Sequence, residues 1–410
     1  MTKYLILLLI FSFFFLLIEK PEAIDPRHSW WQIQSIDVMK YSRDIAREKL
    51  KDKSFDRTID EQVRNISQTG ATHIAIGTPY DEEFIPFLKR WVSTARKYDL
   101  NVWFRGNFSG WEKWFGYTSI NREEHIQKTK DFIERNPELF EDGDLFTSCT
   151  ECENGGPGDP RRTGDITGHR KFLIEEYQAA KNAFNKIGKN VMANTYSMNG
   201  DVASIIMDRP TTKALDGVVV IDHYVRSPDK LLKDIKNYAL NSGGKIILGE
   251  FGAPIPDIHG NLSETDQAQY LAETLEKLTS EKNLIGLNYW VSVGGSTQLW
   301  NPDGTKRMAA DVVTSYYSPK IIKGKIINEL KQPIIGASVS ISSQSITTDK
   351  NGNFSLFYSN HGKSLKIEAS GYYSITLDPN NINQDPIIMS KKDPDLIYKF
   401  LKNLYKLLGW

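Results

Sequence analysis

Short apolar runs alternate with segments of helical periodicity over the first three quarters of the chain. The eight runs predicted as buried strands are Ile33–Met39, Thr72–Gly77, Asn101–Phe108, Leu145–Cys149, Val191–Tyr196, Gly217–Tyr224, Lys245–Gly252 and Ile285–Val293. The clearest predicted helices are Thr58–Gln68, Glu83–Tyr98, Glu123–Arg135, His169–Ile187, Pro228–Leu240 and Glu264–Leu278. Strands that alternate with helices pair in parallel through right-handed crossovers.

Eight such strands predict a (β/α)8 barrel over residues 24–318, close to the ~250 residues usual for that fold. A doubly wound sheet is the alternative. It is disfavoured because no glycine-rich phosphate loop follows the first strand.

Residues 319–390 have a different pattern, in which Val, Ile and Ser alternate between turn signals. Those signals are Asn328, Gly336 and the Lys350-Asn351-Gly352 triplet. The pattern predicts a small all-β sandwich. No cluster of acids, bases or metal ligands stands out in this part of the sequence.

Both ends of the chain predict segments of another kind. Lys3 precedes the apolar run Tyr4–Ile18, which is shorter than the ~20 residues of a membrane span. Residues 1–23 are therefore interpreted as a signal peptide or an N-terminal anchor, and the protein as secreted or associated with the cell envelope. Residues 391–410 predict a basic amphipathic helix, which either packs on the body of the protein or lies on a membrane surface.

The amino-acid composition excludes one class of function and is compatible with another. The chain has 410 residues, with 51 Lys and Arg against 51 Asp and Glu, so the basic excess of a dedicated nucleic-acid binder is absent. The 9 Trp and 18 Tyr suit the flat faces of sugars. Two cysteines, Cys149 and Cys152, form either a small disulfide or a pair of buried thiols.

Candidate catalytic residues follow the predicted strands, because barrel active sites lie at the carboxyl ends of the strands. Glu250 ends the seventh strand, and Glu151 follows the fourth, with Glu153 as a rival. Two facing carboxylates suit double displacement at a sugar carbon, one as nucleophile and one as acid and then base. Burial and the partner's charge would supply the raised pKa that the acid needs. Asn194, near the end of the predicted fifth strand, is a further candidate for substrate contact.

The segment Leu248-Gly249-Glu250-Phe251-Gly252 and the following Ala253-Pro254 resemble the nucleophile motif of retaining glycoside hydrolases of clan A, especially the cellulase-like family 5. This resemblance implies that Glu250 is the nucleophile and Glu151 the acid/base. Thr150 and Cys152 stand where that family usually has Asn and Pro, and the family's Asn contacts the sugar 2-hydroxyl.

The same resemblance implies substrate-binding roles for four further residues. Tyr224 would orient the nucleophile, His223 would line the subsite, Trp290 would be the platform under the −1 sugar, and Arg105 would lie near the nucleophile. No metal and no organic cofactor is expected.

The second module also resembles a known family. The segments Ile322–Ile326, Pro333–Val339, Thr348–Phe354 and Ala369–Tyr372 are similar to the carboxypeptidase regulatory-like β-sandwich. That resemblance implies a seven-stranded accessory domain with a spacer or adhesion role and no catalysis.

The sequence therefore predicts a retaining glycosidase that acts on a β-linked oligosaccharide or polysaccharide. The alternative from another class is a catalytically inactive carbohydrate-binding or cell-envelope scaffold protein, which the departures at Thr150 and Cys152 favour. A metal-dependent barrel hydrolase is disfavoured because paired histidines are missing from the predicted strand ends.

Overall fold

The computed structural model describes residues 30–359, 364–382, 386–392, 402 and 404–407. The leader predicted for residues 1–23 lies outside the described residues, as does most of the helix predicted for residues 391–410. Within the described ranges, no helix is both long enough and apolar enough to cross a membrane.

The first part of the described chain folds as a barrel of eight parallel strands, in the sheet order β4-β3-β2-β1-β8-β7-β6-β5. The sheet closes where Leu145 and Met192 form a parallel bridge and Phe146 N donates to Met192 O at 2.8 Å. The predicted (β/α)8 barrel is therefore confirmed. Its strands are β1 (Ile33–Asp37), β2 (His73–Ile76), β3 (Asn101–Phe104), β4 (Leu145–Phe146), β5 (Ser197–Asn199), β6 (Val218–Asp222), β7 (Lys245–Phe251) and β8 (Leu284–Tyr289).

Helices surround the barrel, and each of the six predicted ones is present with ends within three residues of the prediction. Several begin at caps that the sequence encodes, such as the reciprocal pair of Asn121 and Glu124. The helices are α1 (Met39–Ser42), α2 (Ala46–Lys49), α3 (Asp56–Ser67), α4 (Ile85–Lys97), α5 (Ser109–Glu112), α6 (Arg122–Arg135), α7 (Pro160–Thr163), α8 (Ile166–Lys186), α9 (Gly200–Ile206), α10 (Arg209–Ala214), α11 (Pro228–Ser242), α12 (Pro256–His259), α13 (Glu264–Leu278) and α14 (Met308–Tyr317).

The fifth strand differs from its prediction. The apolar run Val191–Tyr196 contributes only the bridge at Met192, and the strand that pairs with β6 is Ser197–Asn199, with Asn199 opposite Asp222. The prediction followed hydrophobicity, but hydrogen bonding to β6 extends into a more polar stretch. Asn199, rather than Asn194, therefore stands at the carboxyl end of this strand.

Two apolar clusters fill the barrel domain. The larger one includes the apolar faces of the surrounding helices. The smaller one draws residues from six of the strands, two of them from β6, and lies inside the barrel. Its buried members are Ile33, Ala75, Trp103, Leu145, Val218, Val220 and Ile247. Side chains alternate between the two faces of a strand. Beyond this cluster, toward the carboxyl ends of the strands, the positions that face into the barrel can therefore carry polar groups.

The second domain follows α14 and consists of two small sheets, β11-β10-β13-β14 and β12-β9-β15. They enclose an apolar core of their own, which confirms the predicted β-sandwich, while the likeness to regulatory-like modules remains a prediction. Ser343 N donates to Glu276 Oε1 of α13 at 2.8 Å, which ties the sandwich to the barrel. The strands are β9 (Lys320–Asn328), β10 (Ser338–Ile341), β11 (Gln344–Thr347), β12 (Asn353–Tyr358), β13 (Leu365–Glu368), β14 (Ile375–Leu377) and β15 (Ile387–Met389).

Gly324 and Phe354 form a cross-strand pair in this sandwich. A Cβ at Gly324 would lie 2.7 Å from Phe354 Cε1, so Gly324→Ala should lower the free energy of unfolding by about 1–3 kcal/mol. In a Phe354→Leu background the same change should cost less, because the ring is gone. Urea unfolding of the full chain measures both costs, and additive costs would contradict this packing argument.

Candidate active site

Arg105 is the central residue of the strand ends. It follows β3 and is 1% exposed. Its Nη1 donates to Asp37 Oδ2 at 2.8 Å and to Glu250 Oε1 at 3.2 Å. Its Nη2 donates to Ser197 Oγ at 3.1 Å and to Asp222 Oδ2 at 3.2 Å. Although burial opposes it, the charge of the three carboxylates raises the pKa of Arg105 above its ordinary value, so this guanidinium stays charged.

Glu250, near the end of β7, is held at both carboxylate oxygens. Arg105 donates to Oε1, and the Tyr224 hydroxyl donates to Oε2 at 2.9 Å. Burial raises the pKa of Glu250 to about 7, and the charges of Glu151 and Asp37 add to that effect, whereas Arg105 and Tyr224 oppose it. Because its side chain is still 13% exposed, the carboxylate is both oriented and reachable.

Tyr224 and Trp290 extend this group toward the barrel mouth. Their rings meet edge to face, with centroids 6.3 Å apart and planes at 80°. The ammonium of Lys40 lies 5.7 Å from the centroid of the Trp290 ring. Arg105, Tyr224 and Trp290 thus form one contiguous set around Glu250.

Two other predicted residues lie elsewhere. The His223 imidazole is directed at α11, where Nε2 lies 2.9 Å from Asp234 Oδ2, and only the backbone N–H of His223 bonds to Glu250, at its carbonyl oxygen. Asn194 Nδ2 donates to Leu215 O at 2.7 Å, before the amino end of β6. Neither side chain meets the Glu250 carboxylate among the described contacts.

The loop after β4 holds the second carboxylate. Cys149 and Cys152 are joined in a disulfide, which encloses Thr150 and Glu151 in a short covalent ring. Glu151 has a φ of 45°, a left-handed conformation that is uncommon outside glycine. The Thr150 hydroxyl donates to Arg105 O at 3.0 Å. The loop is therefore attached directly to Arg105 at the end of β3, and the hydroxyl proton of Thr150 is used in that hydrogen bond.

Glu151 is half-buried and accepts two amide hydrogen bonds. Asn199 Nδ2 donates to Oε1 at 3.2 Å, and Asn154 Nδ2 donates to Oε2 at 3.0 Å. Burial raises the pKa of Glu151, and the charge of Glu153 adds to the effect while Arg105 opposes it. A carboxyl group in such surroundings is suited to hold a proton and release it.

Glu153 lies deeper, with 3% of its surface exposed. Its Oε1 accepts from the backbone N–H of Asn199 at 2.8 Å. Its Oε2 is buried without a hydrogen-bond partner among the described residues. Burial raises the pKa of Glu153 as well.

Trp111 of α5 supports the same loop. Its Nε1 donates to Cys152 O at 3.0 Å, and its carbonyl accepts from Gly156 N at 2.9 Å. A Cβ at Gly155 would lie 2.4 Å from Trp111 O, and one at Gly156 would lie 2.3 Å from the indole ring. The loop needs both glycines for this close approach.

Glu112, which sequence reasoning missed, is a third carboxyl group beside this loop. Its Oε1 accepts from Asn107 Nδ2 at 3.1 Å. Asn107 Oδ1 lies 2.9 Å from His125 Nε2, and His125 Nδ1 lies 2.5 Å from Glu176 Oε1. Burial raises the pKa of Glu112 to about 7, with Asn107 opposing. Glu112 lies on a four-residue helix, which is too short to show a helical pattern in the sequence. The polar Asn107 after β3 was the one sequence feature that pointed to a polar site here.

Within the described ranges, no group of three His, Cys, Asp or Glu side chains is arranged to hold a metal ion.

Comparison with known proteins adds fold-level likenesses. No protein-family model matches the chain, and no curated protein is similar to it by sequence. A GH5_18 protein from Bifidobacterium longum subsp. longum, solved in complex with Manβ1-4GlcNAc, matches with a TM-score of 0.52 at 15% identity over 76% of this chain and 86% of its own. A GH5_18 protein from Streptomyces cattleya, solved with GlcNAc, matches with a TM-score of 0.52 at 13% identity over 70% and 80% of the two chains.

A β-glucuronidase from Bacteroides uniformis also matches, with a TM-score of 0.46 at 12% identity over 81% of this chain. The chain spans 44% of that protein's length. The two GH5_18 matches, at 15% and 13% identity, show a shared fold alone.

Glu112→Gln tests the raised pKa of this half-buried carboxyl group. A folded-state pKa of about 7, raised from 4.5, contributes stability that is complete below pH 4.5 and is lost as the pH rises through 7. The substitution should therefore stabilise the protein at pH 8 relative to pH 4, by up to about 3 kcal/mol. Unfolding free energies at several pH values measure this, with the exposed Glu175→Gln as control. A difference that does not vary with pH would contradict the raised pKa.

Proposed function

We propose that this protein is a retaining β-glycoside hydrolase, with Glu250 as nucleophile and Glu151 as acid/base. In the first step a Glu250 oxygen attacks the anomeric carbon while Glu151 protonates the departing glycosidic oxygen. In the second step Glu151 takes a proton from water, which attacks the same carbon and releases Glu250. The observation that carries the proposal is the clamp on Glu250 by Arg105 and Tyr224.

The contacts of Glu250 support its role as nucleophile. Arg105 stabilises the ionised carboxylate, which must carry its negative charge to attack, and Tyr224 orients the second oxygen. The Trp290 ring beside Tyr224 offers an apolar face of the kind that packs against sugar rings.

The surroundings of Glu151 support its role as acid rather than that of Glu153. Glu151 is half-buried, whereas Glu153 is almost completely buried and accepts a hydrogen bond from the Asn199 backbone. An acid must reach the leaving oxygen directly or through one water molecule. Glu151 meets that requirement better, and Glu153 adds the negative charge that helps to keep its neighbour protonated.

The fold neighbours suggest which saccharides to examine first. The two GH5_18 structures hold Manβ1-4GlcNAc and GlcNAc, so β-linked mannosyl and N-acetylglucosaminyl compounds lead the panel, followed by β-glucans and β-mannans. We also propose that the protein is exported, because the apolar run Tyr4–Ile18 resembles a signal sequence and the Cys149–Cys152 disulfide suits an oxidising compartment.

Hydrolysis of this panel by the wild type, Glu250→Gln, Glu151→Gln and Glu153→Gln tests the assignment. We expect the first two substitutions to lower kcat by about 10³-fold or more, and Glu153→Gln to lower it far less, since only the first two residues exchange bonds or protons with the substrate. NMR of the first-formed sugar should show a retained anomeric configuration. Inversion, or an unaffected Glu250→Gln, would refute the mechanism.

If the wild type binds a saccharide but hydrolyses none, the inactive carbohydrate-binding alternative replaces the enzyme.

Tyr224→Phe tests how Glu250 is kept ionised. The hydroxyl lowers the pKa of Glu250, so its loss should raise that pKa and move the acidic limb of kcat/KM toward higher pH. A hydrogen bond to a charged group is worth about 1.5–3 kcal/mol, which corresponds to a shift of about 1–2 pH units. Tyr98→Phe, which removes a hydroxyl on the outer surface, is the control. An unmoved acidic limb would contradict the role of Tyr224.

A further inference from the structure

A cation and a tryptophan outside the proposed catalytic residues share a cavity at the barrel mouth. Arg43, which directly follows α1, lies with its guanidinium carbon 4.9 Å from the centroid of the Trp114 ring. The two residues line a cavity of about 260 Å³ together with Asp44 and Phe115. Both Arg43 and Trp114 are half-buried, so the cavity is open to a ligand.

The guanidinium of Arg43 has unused donors. Its Nε donates to Asp44 Oδ1 at 2.9 Å, but Nη1 and Nη2 have no hydrogen-bond partner among the described residues. Asp44 is shared, since its Oδ2 also accepts from Lys40 at 3.0 Å. Lys40 in turn lies over Trp290. The short helix α1 therefore places two cations against two tryptophans, with a single carboxylate between them.

The segment that carries Trp114 is held in a strained conformation. Lys113 and Phe115, on either side of Trp114, have φ values of 62° and 52°, in the left-handed region that non-glycine residues seldom adopt. Arg47 holds the segment there, because its Nη1 donates to Phe115 O at 2.6 Å while its Nε pairs with Glu83 Oε1 at 2.6 Å. Backbone strain that the surroundings maintain is concentrated at functional sites.

The position of Arg43 relative to the proposed acid gives the cavity its role. Trp114 comes just after α5, and Trp111 of α5 donates to Cys152 O in the loop that carries Glu151, so the cavity lies on the acid/base side of the mouth. The positive charge of Arg43 also acts on Glu151 and on Glu112. In the proposed mechanism that side faces the departing half of the substrate. Arginine binds carboxylate and sulfate groups through paired N–H donors.

We propose that Arg43 and Trp114 bind the leaving-group half of an acidic β-linked saccharide. Trp114 packs against the sugar ring, and the free Nη groups of Arg43 pair with an anionic substituent. The inference rests on the proposed function, because that function defines which side the leaving group occupies. A uronic acid and a sulfated sugar present the same chemistry to this arginine.

Matched substrates test the proposal. Each pair has the same glycone and linkage and a leaving sugar that is neutral, a uronic acid or sulfated. The readout is the ratio of kcat/KM for the acidic member to that for the neutral one. We expect Arg43→Gln to lower this ratio at least tenfold, chiefly through KM, and Arg43→Lys to restore part of it. If the ratio falls more for the uronic acid than for the sulfated sugar, the anion is a carboxylate, and if it falls more for the sulfated sugar, the anion is a sulfate.

Arg135→Gln is the matched control, because it removes an exposed guanidinium of α6 and should leave the ratio unchanged. Salt should lower the ratio in the wild type more than in Arg43→Gln, since it screens an exposed charge pair. A ratio that Arg43→Gln leaves unchanged would overturn the proposal, as would an equal loss of kcat on both substrates, which would show that Arg43 acts only on Glu151.

A binding measurement tests the anion site independently of the proposed hydrolysis. Calorimetry with Glu250→Gln measures affinity for the acidic and neutral saccharides without turnover. Glu250→Gln/Arg43→Gln should bind the acidic saccharide at least tenfold more weakly than Glu250→Gln does. If the wild type hydrolyses nothing but this difference appears, the anion site stands and the catalytic assignment fails. If the acidic saccharide does not bind, the anion site fails.

Discussion

A single buried guanidinium, that of Arg105, holds the strand ends of this barrel together. It reaches Asp37 on β1, Ser197 on β5, Asp222 on β6 and Glu250 on β7. One positive charge cannot balance three carboxylates, and burial raises the pKa values of both Asp222 and Glu250. Removing the guanidinium would leave buried like charges without a partner, which is far more costly than losing an exposed ion pair. The strand ends and the charge of Glu250 therefore depend on the same residue.

The two halves of the site differ in what surrounds their carboxyl groups. Glu250 accepts from a guanidinium and a phenol, both of which favour the ionised form. Glu151 accepts only from the amides of Asn199 and Asn154 among the described contacts and lies near other acids, so its proton is favoured. Burial raises the pKa of both groups, so under the proposed mechanism the contacts from Arg105 and Tyr224 are what favour the ionised form of Glu250.

Much of this arrangement could be predicted from local sequence signals. Apolar runs and capping residues located seven of the barrel strands and the six main helices, and Glu250 could be placed because it lies at the end of a long apolar run. The fifth strand could not be located in this way, because the residues that pair with β6 are Ser197 to Asn199 and not the apolar residues before them. Glu112 was missed for a related reason. Its hydrogen-bonded surroundings consist of Asn107, His125 and Glu176, which come together only in the folded barrel.

The loop after β4 is held by the strands on both sides of β4. Thr150 stands where the resembling hydrolases carry an asparagine, and its hydroxyl is committed to the Arg105 carbonyl. Asn199 at the end of β5 contacts both Glu151 and Glu153, and Asn154 within the loop donates to the other Glu151 oxygen. Glu151 therefore takes its orientation from one amide on the neighbouring strand and one amide in its own loop. Since Thr150 bonds to the end of β3 and Glu151 to the end of β5, the position of the Glu151 carboxyl group depends on both neighbouring strands as well as on the disulfide that closes the loop.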